Sequence, residues 1–251
     1  MHPINRLLSV VGLRLSRAVR PGAGPVAGVP GFDAQFQEAR QNERGFGAVL
    51  AYPTVETGEH PASYVDHECA FAAQWLGKAK PVNVLDVGSY RHFVLGMLSW
   101  YRVTTVDIRH RKAMTENEVV LTCDARSLKL PDGGFDVVVS LCALEHIGLG
   151  RYGDEFDLDG DKKAFGEMVR VLRPGGRIIF TTAVTRGPSC MRFNQARFYS
   201  YEMIRGFWAG LVCEEERFYS HKLDAYCSLA DVTHEENSWD VYCGCWRRGP
   251  F

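Results

Sequence analysis

Two acids set 21 positions apart carry the first chemical signal of the chain. Asp86 sits inside Val84-Leu85-Asp86-Val87-Gly88-Ser89, and Asp107 ends Val103-Thr104-Thr105-Val106-Asp107. An apolar run that closes on a glycine turn, followed by a second that ends in an acid, is how a parallel α/β sheet holds a nucleoside at its strand ends. A second signal is Leu144-Glu145-His146-Ile147-Gly148-Leu149-Gly150-Arg151-Tyr152-Gly153-Asp154, which follows the expected fourth strand. It carries an imidazole whose ordinary pKa of about 6.5 suits a base at neutral pH.

The elements that must position these residues follow from periodicity. Strands are expected at Val82 to Val87, Val103 to Ile108, Val119 to Cys123, Phe135 to Val139, Arg177 to Ala183, Val212 to Tyr219 and Asp240 to Trp246. Helical spacing separates most of them, at Ser63 to Leu76, His92 to Trp100, Asp161 to Leu172 and Ser200 to Ala209. This alternation implies an α/β fold with a doubly wound, mostly parallel seven-stranded sheet, the last two strands forming an antiparallel edge. Residues 32 to 61 read as irregular.

With 251 residues, 46% of them apolar and 24% charged, the chain suits one large domain, residues 32–251, with an added N-terminal segment, residues 1–31. A formal charge of −1 gives no reason to expect a nucleic-acid partner. No run reaches the roughly 18 to 20 apolar residues of a membrane span. The eight scattered cysteines read as reduced, as in cytoplasm, and Cys243-Gly244-Cys245 is a poor zinc motif. Residues 1–20 place Ile4, Leu7, Leu8, Val11, Leu15 and Ala18 at helical spacing with arginines off the stripe, and Pro21 to Gly31 read as a linker. Such a helix either packs on its own domain or a partner, or lies on an anionic membrane surface, which would put the protein at the inner face of the membrane.

The order Leu85-Asp86-Val87-Gly88, Asp107, Cys123-Asp124-Ala125, Phe135-Asp136-Val137-Val138-Val139-Ser140 and Val171-Leu172-Arg173-Pro174-Gly175-Gly176 resembles a class I S-adenosylmethionine-dependent methyltransferase. The resemblance covers about residues 63 to 247 and implies S-adenosyl-L-methionine as cofactor, bound by Asp86, Gly88, Ser89, Asp107, Asp124, Ala125 and Ser140. Asp107 can accept both ribose hydroxyl protons and Asp124 the adenine amino group. Ordinary strand-end and turn chemistry would explain the same aspartates outside this ordered context. The chain departs from the family's glycine pattern at Tyr90 and His92; a dinucleotide-binding GxGxxG is absent, which counts against a nicotinamide enzyme.

The Leu144–Asp154 run, with Asp157-Leu158-Asp159-Gly160-Asp161, Phe193-Asn194 and Arg197-Phe198-Tyr199-Ser200, is similar to a small bacterial family linked to polysaccharide synthesis and sugar O-methylation. That resemblance implies a saccharide or glycan acceptor. A neutral hydroxyl needs a proton acceptor or a divalent ion, so His146 is expected to be the catalytic base and Arg151, Tyr152, Asn194 and Arg197 the substrate contacts. Glu145, Asp154, Asp159 and Asp161 offer hard oxygens for Mg2+, the alternative being that Asp159 and Asp161 cap the following helix. An EF-hand is rejected, because aligning Gly160 with its glycine puts Gly166 where the bidentate Glu belongs. Two other classes stay open: a non-catalytic module on the same fold, suggested by Tyr90 and His92, and a methyltransferase of a small metabolite, lipid or protein.

Overall fold

The computed structural model describes residues 30–42, 48–51, 62–207 and 210–249, so the expected N-terminal amphipathic helix lies outside the described residues. The chain divides into two units, Met1–His60 and Pro61–Phe251. In the first, helix α1 (Phe32–Gln41) occupies a stretch that reads as irregular in sequence. Asp33 in its first turn and Arg40 in its last complement the helix dipole, and Phe32 stacks on Phe36 one turn on. Two phenylalanines with no buried face gave too thin a periodic signal to reveal it.

The second unit opens with α2 (Tyr64–Ala79), started by a reciprocal Ser63–Asp66 capping box and ended by Lys80 in the left-handed region, φ 44°. Then come β1 (Asn83–Val87), α3 (Arg91–Met97), β2 (Arg102–Asp107), β3 (Glu118–Thr122) and β4 (Phe135–Leu141). After a 3-10 turn at Leu144–His146 follow α4 (Gly160–Val171), β5 (Leu172–Thr185), β6 (Cys190–Arg192), β7 (Ala196–Ser200) and α5 (Tyr201–Phe207). The unit closes with β8 (Leu211–Ser220), β9 (Ala225–Cys227) and β10 (Asp240–Arg248).

The sheet runs β3-β2-β1-β4-β5-β10-β8-β9, parallel from β3 to β5 and antiparallel from β10 onward. The expected antiparallel edge is therefore three strands wide, with β10 threaded between β5 and β8. Short β6 pairs with β7, and β7 extends the end of β5 through Val184↔Tyr199. Alternate side chains divide between two cores, as the period of a strand requires: Leu85, Val87 and Val138 pack with α4, and Val84, Val137 and Val139 pack with α2 and α3. Both faces are covered. Strand order reverses between β1 and β4, so the carboxyl ends of β1, β2 and β4 border an open crevice, the place where such sheets receive ligands.

Candidate active site

Two cavities meet at that crevice. The first lies against the ends of β1, β2 and β3 and is lined by Gly88, Asp107, Ile108, Asp124, Ala125 and Ile147 among others. The second has a volume of about 510 Å³ and an aromatic wall of Tyr64, Phe198 and Trp239. Gly88, Arg109, Cys142, His146 and Tyr152 line both, so they mark the junction. Gly88 has φ 72°, and a Cβ there would stand 3.0 Å from that of Ala143, so glycine keeps the passage open.

In the first cavity Asp107 accepts from the Arg109 backbone N–H at 2.8 Å and from its guanidinium at 2.9 and 2.8 Å, and pairs with Arg111. Burial acts to raise its carboxyl, but the Arg109 bonds and the Arg111 charge outweigh it and hold the group below its ordinary value. Hydrogen bonds from Arg126 likewise hold Asp124 down. Both acids are thus ionised acceptors at neutral pH.

Asp86 and Ser140 do not line either cavity. Ser140 is buried and donates to the Val87 carbonyl, tying β4 to β1. Asp86 is fully buried with no hydrogen-bond partner for either oxygen, and burial lifts it to about 7, restrained by Ser89 and Arg111. Arg111 Nη1 is buried without a partner as well. Ser89, in front of them, lines the second cavity while its hydroxyl holds the Leu141 N–H at 3.0 Å. An unpartnered acid, and a guanidinium that is paired to Asp107 through Nη2 but has a free buried Nη1, suit a zwitterion whose ammonium and carboxylate would answer them. Asp107, Asp124 and Ala125 suit an adenosine, so the residues present fit S-adenosylmethionine. Arg109 and Arg111 were missed by the sequence reading, although Asp107-Ile108-Arg109-His110-Arg111 is a basic cluster directly behind a strand-end acid.

At the junction, His146 Nδ1 lies 2.5 Å from the Gln195 carbonyl. A carbonyl only accepts, so this shorter contact puts the hydrogen on Nδ1 and leaves Nε2 its lone pair, and Arg151 Nη1, 3.2 Å from Nδ1, donates to the same Gln195 carbonyl at 3.2 Å. Burial, and then the charges of Arg151 and Arg197, push the imidazole down to about 4 against the pull of the Gln195 bond. It is neutral at physiological pH. Tyr152 stands edge-on to it at 6.0 Å between the guanidiniums of Arg109 (4.4 Å) and Arg151 (5.2 Å). Glu145 lines the second cavity, accepts from Thr182 at 3.1 Å, and is lifted to about 7 by burial and the nearby Glu68.

Arg197 and Asn194 line neither cavity. Buried Arg197 donates to the carbonyls of Ile147, Asp157 and Leu158, and Asn194 to that of Leu149, so both fasten the loop that carries His146. The four acids expected to hold Mg2+ do not converge either. Asp154 accepts the N–H groups of Gly148, Gly150 and Tyr152; Asp159 pairs with Lys162; Asp161 accepts from Tyr199 at 2.8 Å; Glu145 faces Thr182. Among the described residues no three His, Cys, Asp or Glu side chains are placed to share a metal ion. Asp159 stands at the N-cap position of α4 without a side-chain capping bond and Asp161 lies in its first turn, so the capping alternative holds for position only.

Residues 85–180 match the family model of a methyltransferase domain. Among solved structures, the chain is similar to a 1,6-didemethyltoxoflavin-N1-methyltransferase from Burkholderia thailandensis with bound S-adenosylhomocysteine, at 16% identity, 91% and 94% coverage of the two chains and a TM-score of 0.55. The N-methyltransferase NodS from Bradyrhizobium japonicum is 16% identical over 73% of this chain and 95% of that one, TM-score 0.53, and also crystallises with S-adenosylhomocysteine. The cyclase SpnF matches at 16% identity, 77% and 85% coverage and TM-score 0.55. The fold is thus the one these proteins share, and residues 85–180 carry the match to a methyltransferase domain.

Proposed function

We propose that this protein transfers a methyl group from S-adenosylmethionine to a hydroxyl of a saccharide acceptor. The carrying observation is the second cavity: large, walled by Tyr64, Phe198 and Trp239, edged with Arg151, and sharing His146 with the cavity that Asp107 and Asp124 line. Aromatic faces pack against the C–H faces of a sugar ring while directional polar groups read its hydroxyls. The cofactor supplies an activated methyl group on a sulfonium. Asp107, Asp124 and Ala125 would hold its nucleoside, and Asp86 and Arg111 would balance its amino-acid end. The chain's remaining task is alignment of the acceptor oxygen. Neutral His146 offers Nε2 as a hydrogen-bond acceptor at the junction, and Arg151 and Tyr152 border the entry of the ring.

A second reading has its own support. Two similar structures are N-methyltransferases by name, so an amine acceptor competes with the hydroxyl. Incubation with S-adenosylmethionine and a panel of methyl glycosides, uronic acids and small amines, read by product mass, separates the two. Methylated glycoside supports the proposal; methylated amine alone overturns it. A protein that fails to bind S-adenosylhomocysteine by calorimetry would instead be a module without this chemistry.

A further inference from the structure

His146 can orient an acceptor hydroxyl, but with its proton affinity pushed down to about 4 it cannot hold the proton that hydroxyl must shed at neutral pH. The same cavity contains a better-connected group. Tyr90, the residue from which α3 starts, and Cys142, just beyond β4, both line it, and both point at one carboxylate. Tyr90 Oη donates to Glu68 Oε2 at 2.8 Å, and Cys142 Sγ donates to Glu68 Oε1 at 2.6 Å. Glu68 is wholly buried on a helix face otherwise made of Phe71, Ala72, Trp75 and Leu76. A leucine would pack there at no electrostatic cost, whereas a buried acid costs several kcal/mol unless its oxygens are satisfied. Two of its donors, Tyr90 and Cys142, are cavity side chains, and Thr181 adds a third from β5. Cys142 is held to this task in a left-handed backbone, φ 44°, its N–H bonded to Thr181. Tyr90 also stands where the family pattern has glycine, so the departure places a phenol in the acceptor cavity.

We propose that Tyr90 is a catalytic residue that receives the proton of the acceptor hydroxyl and passes its own to Glu68. This rests on the hydroxyl-acceptor reading above. As the new carbon–oxygen bond forms, the carbon–sulfur bond of the methyl donor breaks and the sulfur keeps the electron pair. The acceptor proton moves to Tyr90 Oη while the Tyr90 proton moves to Glu68, leaving a neutral phenol and a neutral carboxylic acid. Burial raises the Glu68 carboxyl, which favours its taking a proton, and the protic groups around it include Tyr64, Cys69, Tyr90, Cys142, Glu145, Thr181 and Cys243, with His221 beyond. Glu145 is the competing base in the same cavity.

The test uses the full chain with Tyr90→Phe, Glu68→Gln, Glu68→Asp and Glu145→Gln, with methyl glycosides as acceptors. Loss of general-base help should lower kcat of Y90F and E68Q by roughly 100-fold or more, with partial rescue in E68D. The KM for the glycoside and the affinity for S-adenosylhomocysteine should stay within about threefold, since the relay acts only in the transfer step. A measurement without acceptor runs alongside: in protein labelled with 13C at glutamate carboxyls, the resonance missing from E68Q should report an ionised carboxylate at pH 8 and should move in Y90F. Turnover of glycoside by Y90F at the wild-type rate, loss confined to E145Q, or a neutral Glu68 at pH 8 would each overturn the relay while leaving hydroxyl methylation standing. Wild-type protein that methylates amines but no hydroxyl would defeat the hydroxyl reading, and the relay with it. Should E68Q not fold, Y90F and the wild-type carboxyl spectrum, assigned by its change in E68D, decide.

Discussion

Replacing Asp86 with Asn tests whether a buried charge is retained at the expense of stability. Asp86 is fully buried, no hydrogen bond reaches either oxygen, and its carboxyl lies at about 7 against an ordinary 3.8. A shift of roughly 3 units at about 1.4 kcal/mol each corresponds to about 4 kcal/mol. The sign follows from which state holds the proton. Below about pH 4 the group is protonated folded and unfolded, and its contribution is intact; between about pH 4 and 7 the folded chain keeps a proton that the unfolded chain releases, so stability falls as pH rises. Asn has nearly the same shape and cannot ionise. Urea unfolding of the ligand-free wild type and D86N at pH 5 and pH 8 should therefore show the mutant gaining on the wild type by roughly 3 kcal/mol between the two. A difference between the proteins that is the same at both pH values, within about 0.5 kcal/mol, would refute the reasoning, because no proton linkage would then exist at this site. Stability given up at a ligand site is the expected signature of function.

Other expectations concern the cofactor crevice and its loop. Asp107→Asn should weaken S-adenosylhomocysteine by about tenfold or more in calorimetry, through loss of a charged acceptor for the ribose hydroxyls. His146→Gln should keep that affinity yet slow transfer, and the wild-type pH–rate profile should show no inflection from this imidazole above about pH 5, because its proton is already gone there. Gly148→Ala places a Cβ 2.4 Å from the Asp157 carbonyl oxygen and should lower the unfolding free energy by about 2 kcal/mol or more in the same denaturation assay. Treatment with a chelator should leave turnover unchanged, since Asp154, Asp159 and Asp161 are each engaged elsewhere.

Local pattern and order made much of the fold legible. The strand ends at Asp86-Val87-Gly88 and Asp107 could be read because the signal is local: an apolar run, then the residues at which the strand stops. Seven strands were visible for the same reason, and their bounds differ from the sequence expectation by a few residues. Short β6 and β9 escaped because three residues carry no usable alternation, and β7 because Arg197-Phe198-Tyr199-Ser200 reads as part of the acceptor signature. The second cavity was legible only in fragments. Glu68 looks like one more polar residue of an amphipathic helix, and only packing shows it turned inward toward Tyr90 and Cys142 from sequence distances of 22 and 74. Nothing local to Trp239 or Phe198 says that they face the same space.

The unusual run from Glu145 to Asp161 shows how a specific sequence signature can serve position before chemistry. Gly148 and Gly160 cross so closely that a Cβ on Gly160 would stand 2.8 Å from the Gly148 Cα, which fixes glycine at both. Asp154 gathers three backbone N–H groups of the turn, and Arg197 gathers three of its carbonyls from the opposite side. Such polar satisfaction fixes the path of a long loop that has no ladder of its own. What it holds in place is His146 at the junction of the cavities and Tyr152 between two guanidiniums. The glycines, Asp154 and Arg197 would thus be required for any acceptor brought to that junction. The saccharide must be argued instead from the walls of the second cavity, where Tyr64, Tyr90, Phe198 and Trp239 come from four separate parts of the chain.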